Sequence, residues 1–428
     1  MILKNCKILT GTLGEIIENG AVYIKEEKIV DVGETEEILK KYPDEKSKDL
    51  DGKIILPGLS NPYTSFYINE LSMLYKLINS KFPPYEKFSK IVGYSEKLVE
   101  KEQLFEYIIK LGGYKSMING ITSTIVSIPY SKNISKVNEL CNSIGIKIKP
   151  SPVFLTERGV PRAYRDDLIN NKEISSITLL GAWGLEEEDY EFLKKFINSG
   201  KRVRIVIIDF KQEERYCKLK HGKDLLSVFK ENNILSKHID IIFAGNVNSE
   251  IIDFFSSKSV RLIKSLRAEL SELEKTPDLL DMLGRGMKVS IGTGTTDYSI
   301  FDEAKTLLVN EKSSNKAKSN IVYNEVERTI FMNNYLFTSE EFGVQLGKIA
   351  PGKEADITIL NSRTGVFQFE TKTPFTEISF KIGSELEVFG TITSGKIAMW
   401  DRKPKIANVK EIRKIQKKIN KFVNEIEL

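Results

Sequence analysis

Histidine is almost missing from this chain: its 428 residues include two, His221 and His238. A site that gathers three or four imidazoles around a metal is excluded by that count alone. Cysteine is nearly as scarce, since Cys6, Cys141 and Cys217 are far apart and odd in number. Neither a disulfide framework nor a CxxC zinc ribbon fits them. No run approaches the ~18 continuous apolar residues that span a bilayer, and residues 1–6 lead into mixed polar sequence without the apolar stretch of a signal peptide. A cytoplasmic protein without membrane contact is the expectation. The charge excess, 64 − 59 = +5, is small and scattered, so nucleic acid is not an expected partner. No GxGxxG follows a strand-like run, so the usual dinucleotide signature is missing.

What is present is ordinary for a folded protein: 41% hydrophobic and 29% charged residues, which excludes a disordered chain. At roughly 150 residues per domain, this length predicts two to three domains, unless one α/β barrel absorbs most of it. The opening runs Ala21-Val22-Tyr23-Ile24 and Ile29-Val30-Asp31-Val32 read as one-faced strands that need a partner sheet. The far end offers one in Asp356-Ile357-Thr358-Ile359-Leu360, in 386–392 and in Lys396-Ile397-Ala398-Met399-Trp400. Between them, strand candidates at 122–128, 146–148, 176–180, 203–208, 239–243, 260–263 and 288–291 alternate with helical-period stretches such as 101–118, 189–198 and 225–232. Seven or eight such units predict a closed parallel barrel. The expected fold class is therefore α/β: a (β/α)8 TIM-type barrel over 59–345, with a small β-sandwich domain built from both chain ends, 1–58 and 346–405. Residues 406–428 read as an amphipathic helix. Ile412, Ile415, Ile419, Phe422 or Val423, and Ile426 form its apolar stripe, opposite Lys410, Arg413, Lys414, Lys417, Lys418 and Lys421. Docking of that stripe on the parent domain is the simplest use for it.

Four ordered segments carry a resemblance. Gly20-Ala21-Val22-Tyr23-Ile24 running to Ile29-Val30-Asp31-Val32-Gly33, then Gly52-Lys53-Ile54-Ile55-Leu56-Pro57-Gly58-Leu59, Asn119-Gly120-Ile121-Thr122-Ser123-Thr124, and Leu346-Gly347-Lys348-Ile349-Ala350-Pro351-Gly352-Lys353-Glu354-Ala355-Asp356-Ile357 together resemble the amidohydrolase superfamily. Lys41-Tyr42-Pro43-Asp44, Gly222-Lys223-Asp224-Leu225-Leu226 and Phe301-Asp302-Glu303-Ala304-Lys305 look most similar to its SsnA-type aminohydrolases, relatives of chlorohydrolases and of guanine or cytosine deaminases. The resemblance implies a divalent metal such as zinc at the C-terminal mouth of the barrel, where it activates water, and a homodimer.

Position by position, the implied ligands are replaced. The His-x-His pair of the first strand falls on Tyr63 and Ser65, and the fifth-strand histidine on Val206 with its acid partner on Asp209. The sixth-strand histidine falls on Ile242, a further mouth histidine on Lys264 with Arg267 three residues on, and the eighth-strand aspartate on Gly294. The expected cofactor is therefore none. His221 is expected at a helix start and His238 on the N-terminal side of the barrel, both as surface or capping residues. Asp297, Asp302 and Glu303 read first as helix N-terminal charge. Tyr63, Asp209, Lys264, Arg267 and Asp297 are candidates for a polar pocket at the mouth, able to take a heterocyclic or anionic ligand. Three functions are weighed: a non-catalytic homologue serving a protein partner as subunit or regulator, which is favoured; an active hydrolase of C–N bonds using a relocated or metal-free site; and a heterocycle-binding module.

Overall fold

In the computed structural model, described for all residues except 12–14, 73–81, 100, 131–133, 274–275, 315–318, 366, 370–372, 407 and 426–428, two sheets organise the chain. Only the backbone is described for 98, 99, 102, 314 and 319–322.

The eight-stranded sheet is parallel and follows chain order: β6 (Leu59–Thr64), β7 (Ile121–Pro129), β8 (Lys147–Leu155), β9 (Ser176–Leu180), β10 (Arg202–Asp209), β11 (Ile239–Gly245), β12 (Arg261–Lys264) and β13 (Lys288–Ile291). Strands covered on both faces read as apolar runs, which is why Arg202–Asp209 is buried along almost its whole length. The barrel closes between the end of β6 and the loop after β13. Asn61 Nδ2 donates to Thr293 Oγ1 at 2.9 Å, the Gly294 amide to the Tyr63 carbonyl at 3.1 Å, and the Ser65 amide to the Gly294 carbonyl at 2.9 Å. Short polar caps start the outer helices at the C-terminal ends of strands. Asp209 caps Phe210–His221, Asn248 caps Ser249–Ser257, and Gly222 ends the first of these in the left-handed region at φ +70°.

The second sheet has nine strands from both chain ends. β1 (Ile2–Leu9), β2 (Ile16–Lys25), β3 (Lys28–Glu34), β4 (Ser47–Asp49) and β5 (Ile54–Pro57) come from the start. β14 (Ile357–Ser362), β15 (Leu386–Thr393), β16 (Lys396–Trp400) and β17 (Lys403–Pro404) come from the end. The join is β5 against β14, antiparallel, with Pro57 opposite Ile357 and Ile55 opposite Ile359. Leu3, Ile8, Val22, Ile24, Ile55, Ile357, Ile359 and Ile392 share one apolar core. The expected fold class, a (β/α)8 barrel with a β domain contributed by both ends, describes this architecture.

The last helix spans Val409–Asn424 and buries Ile412, Ile415, Ile419 and Val423, packing on helix Glu102–Ile118. Ile426 lies outside the described residues. Among the described residues no helix is long and apolar enough to cross a membrane.

Candidate active site at the barrel mouth

Chemistry in this fold belongs at the C-terminal ends of the barrel strands. There Tyr63, Ser65, Ser127, Val206 and Phe243 surround a cavity of about 10 Å³, room for a single water. Tyr63 is buried, meets Phe243 edge-on at 6.2 Å, and has its phenol pushed up to about 12, chiefly by burial. Ser65 is used as a cap, its hydroxyl accepting the Ile68 amide at 3.3 Å. Val206 offers only hydrocarbon. The residue of β11 that turns into the mouth is Phe243, not Ile242, because the strand end leaves the extended region at Phe243 (φ 75°) and Ala244 (φ 62°). Gly294, at φ +58°, has Ser265 against it. A Cβ there would stand 2.3 Å from Ser265 Oγ, so the aspartate of the family pattern has no room.

The five residues read from the sequence as one pocket separate in the fold. Asp209 spends Oδ1 on the Lys211 and Gln212 amides at 3.0 and 3.4 Å. Lys264 is fully buried and turns to Glu269 Oε2 at 2.8 Å and the Pro277 carbonyl at 3.3 Å. Arg267 and Asp297 do meet. Arg267 Nη2 donates to Asp297 Oδ1 at 2.6 Å, Nη1 to Oδ2, and Nε to Glu303 Oε1 at 2.9 Å. Glu303 Oε2 also accepts the Leu266 amide at 2.9 Å. Glu303 is therefore more than helix N-terminal charge: it is fully buried, and burial pushes its carboxyl up to about 7 although Arg267 pulls the other way. Asp297 remains 43% exposed. Asp302 stays apart from this cluster, 3.6 Å from Lys305.

His221 lies in the last turn of helix Phe210–His221, not at a helix start, with Nε2 2.9 Å from the Trp183 carbonyl. His238 precedes β11 on the N-terminal side of the barrel.

Glu213 escaped the sequence reading. It sits in Lys211-Gln212-Glu213-Glu214-Arg215, which looks like a solvated helix face. In the fold it accepts the Ala182 and Trp183 amides at 2.8 and 3.1 Å, while its Oε1 finds no hydrogen-bond partner among the described residues, and burial pushes it up to about 7. The signal was its spacing: Phe210, Glu213 and Cys217 share the buried face of that helix.

The fold is a (β/α)8 barrel whose mouth lies at the C-terminal ends of its strands. Over nearly its whole length the chain superposes on atrazine chlorohydrolase from Arthrobacter aurescens TC1 complexed with zinc (TM-score 0.78, 15% identity, 98% of this chain and 99% of that one). It superposes equally on an adenosine deaminase from Xanthomonas campestris with bound zinc (TM-score 0.80, 13% identity, 99% and 98%). In sequence it is 21% identical over 439 residues to a 5-methylthioadenosine/S-adenosylhomocysteine deaminase of Acetivibrio thermocellus, covering 97% of this chain and 99% of the relative. The same enzyme of Thermodesulfovibrio yellowstonii is 20% identical over 366 residues, 82% of each chain. No protein-family model matches. These likenesses support the amidohydrolase superfamily.

They also overturn two expectations. The favoured reading, a non-catalytic homologue, fails because the relatives and structural neighbours are deaminases and hydrolases of C–N and related bonds. The expectation that no metal goes with this chain fails because neighbouring structures carry zinc. The side chains at the corresponding positions of this chain nevertheless do not fit such an ion. Among the described residues no three His, Cys, Asp or Glu side chains are arranged to hold one.

Proposed function

We propose that this chain is a hydrolase of the exocyclic C–N bond of an amino-substituted heterocycle, working through a relocated polar site at Arg267 and Asp297. The observation that carries the reaction class is the likeness to deaminases over 97% of the chain. Support for the site comes from Asp297, the exposed carboxylate at the mouth, clamped by a guanidinium that Glu303 holds from behind. In such a reaction water adds to the ring carbon that bears the amine, and its proton passes to Asp297. Asp297 then returns the proton to the departing nitrogen as the exocyclic C–N bond breaks, giving ammonia and a ring hydroxyl whose proton moves to the ring nitrogen to leave the carbonyl. The second N–H of Arg267 Nη1, the one its Asp297, Glu303 and Ser299 bonds leave over, is offered to the charge that develops on the ring. Glu303 touches no substrate and acts as a positioning residue.

The test is ammonia release from adenosine, 5-methylthioadenosine and S-adenosylhomocysteine by the full chain. Turnover of at least one is expected, with kcat falling by about 10²-fold or more in Asp297→Asn and thermal stability unchanged. Silence on all three substrates, or full activity in Asp297→Asn, rejects the reading.

A further inference from the structure

The roomier cavity lies at the opposite end of the barrel. It has a volume of about 360 Å³ and opens beside the N-terminal ends of β10 to β13, under helix Asn333–Phe342. That is the size of a small-molecule site, whereas the enclosed cavity beside Tyr63 has room for one water.

Its floor is built from three arginines around one carboxylate. Asp240 is fully buried and accepts Arg202 Nη1 at 3.0 Å and Arg261 Nε and Nη2 at 2.7 and 2.9 Å. Behind it Arg204, also fully buried, reaches Glu341 at 3.1 Å, while its Nε and Nη1 make no hydrogen bond. Glu340 stands in front. Its Oε2 bridges Arg202 Nη2 at 3.1 Å and Arg261 Nη1 at 2.6 Å, yet its side chain is 48% exposed. Lys237 and Lys288 sit exposed on the rim.

The charges do not balance. Arg202, Arg204, Lys237, Arg261 and Lys288 give +5, and Asp240, Glu340 and Glu341 give −3, leaving +2. The neighbouring arginines hold Asp240 and Glu341 down to about 2 against the effect of burial, so these acids stay ionised. His238, lining the same cavity, is lowered by burial and then by Arg202, Lys237 and Arg261, so it adds no charge near neutral pH. One apolar side chain opens onto the cavity, Leu336, which is 51% exposed; Phe337 beside it is buried, with Arg261 over its ring at 4.1 Å.

We propose that this pocket binds a phosphate monoester of a small apolar group. Two phosphate oxygens take the place of the Glu340 carboxylate between Arg202 and Arg261, in the bidentate geometry guanidinium groups favour. Lys237 and Lys288 neutralise the remaining charge, and the apolar group covers Leu336. With Glu340 displaced the surplus rises to +3, most of which a dianion answers, and Glu340 is the stand-in that keeps the arginine pair ordered when the ligand is away. The site is independent of the reaction at the mouth.

Isothermal titration of the full chain with phenyl phosphate tests this. Saturable one-to-one binding is expected, weakened about tenfold in the double variant Lys237→Ala/Lys288→Ala, whose side chains carry no packing. Binding should tighten in Glu340→Gln, which removes the competing carboxylate, and stay unchanged in Asp297→Asn. No saturable heat up to ~10 mM ligand, equal affinity in the rim variant, weaker binding in Glu340→Gln, or inorganic phosphate binding as well as phenyl phosphate would each overturn it.

Discussion

Gly294 and Ser265 show why the loop after β13 carries no aspartate at the mouth. Restoring an aspartate by Gly294→Asp puts a Cβ 2.3 Å from Ser265 Oγ on a backbone at φ +58°. Left-handed strain and overpacking together should cost about 2–5 kcal/mol. The double variant Gly294→Asp/Ser265→Gly should recover part of that loss in a thermal melt, because it removes the clash and leaves only the strain. Equal melting of single and double variants would mean that Ser265 is not the obstacle. Glu213 makes a second residue-scale prediction, with a definite sign. Its carboxyl is raised from 4.5 to about 7, so the native state keeps a proton that the unfolded chain has lost. Its contribution is therefore favourable below pH 4.5 and is lost as pH rises through about 7. Glu213→Gln cannot lose that proton. From pH 5 to 8 the variant should gain on the parent by up to about 3 kcal/mol, and parallel stability profiles would show that Glu213 does not titrate in this window.

At the scale of elements, periodicity told most of the story. The stripe Ile412, Ile415, Ile419, Val423 was legible because a 3.6-residue repeat survives in an otherwise lysine-rich segment, and those four residues are buried. Ile419 is fully buried. Ile419→Ala should cost about 2–4 kcal/mol, while Lys417→Ala on the exposed face should cost almost nothing. Similar losses for both would mean the helix is not docked by its stripe. The barrel strands were legible for a related reason, since double burial leaves runs such as Ile205-Val206-Ile207-Ile208. The site was not. Whether Lys264 turns to the mouth or to Glu269, and whether Asp209 serves a substrate or the amides of Lys211 and Gln212, depends on partners distant in space or on backbone groups that carry no sequence signature. Arg204 and Asp240 interrupt apolar strands with charge, and they are tolerated through partners on other elements, Glu341 for Arg204 and Arg202 and Arg261 for Asp240.

For the whole molecule, the decisive contact is the one between its ends. β5 from the first 58 residues is flanked by β1 and β14, so half of its hydrogen-bonding edge comes from a strand 300 residues later. Ile357, Ile359 and Ile392 are each fully buried in the core that Leu3, Ile8, Val22 and Ile24 also need. At ~1.5–3 kcal/mol for each such side chain, losing these three removes roughly 5 kcal/mol or more, the lower end of what keeps a domain folded. The returning segment is also tied to the barrel itself, since Lys147 at the start of β8 donates to Asp356 at 2.6 Å. A chain ending at residue 345 therefore keeps every barrel strand and still lacks the partner for β5, the lid of the second core and the counter-charge for Lys147. It should emerge without a cooperative melting transition and run as aggregate on gel filtration. If it instead elutes as a compact species that melts sharply, the barrel is autonomous and the β domain is an appendage.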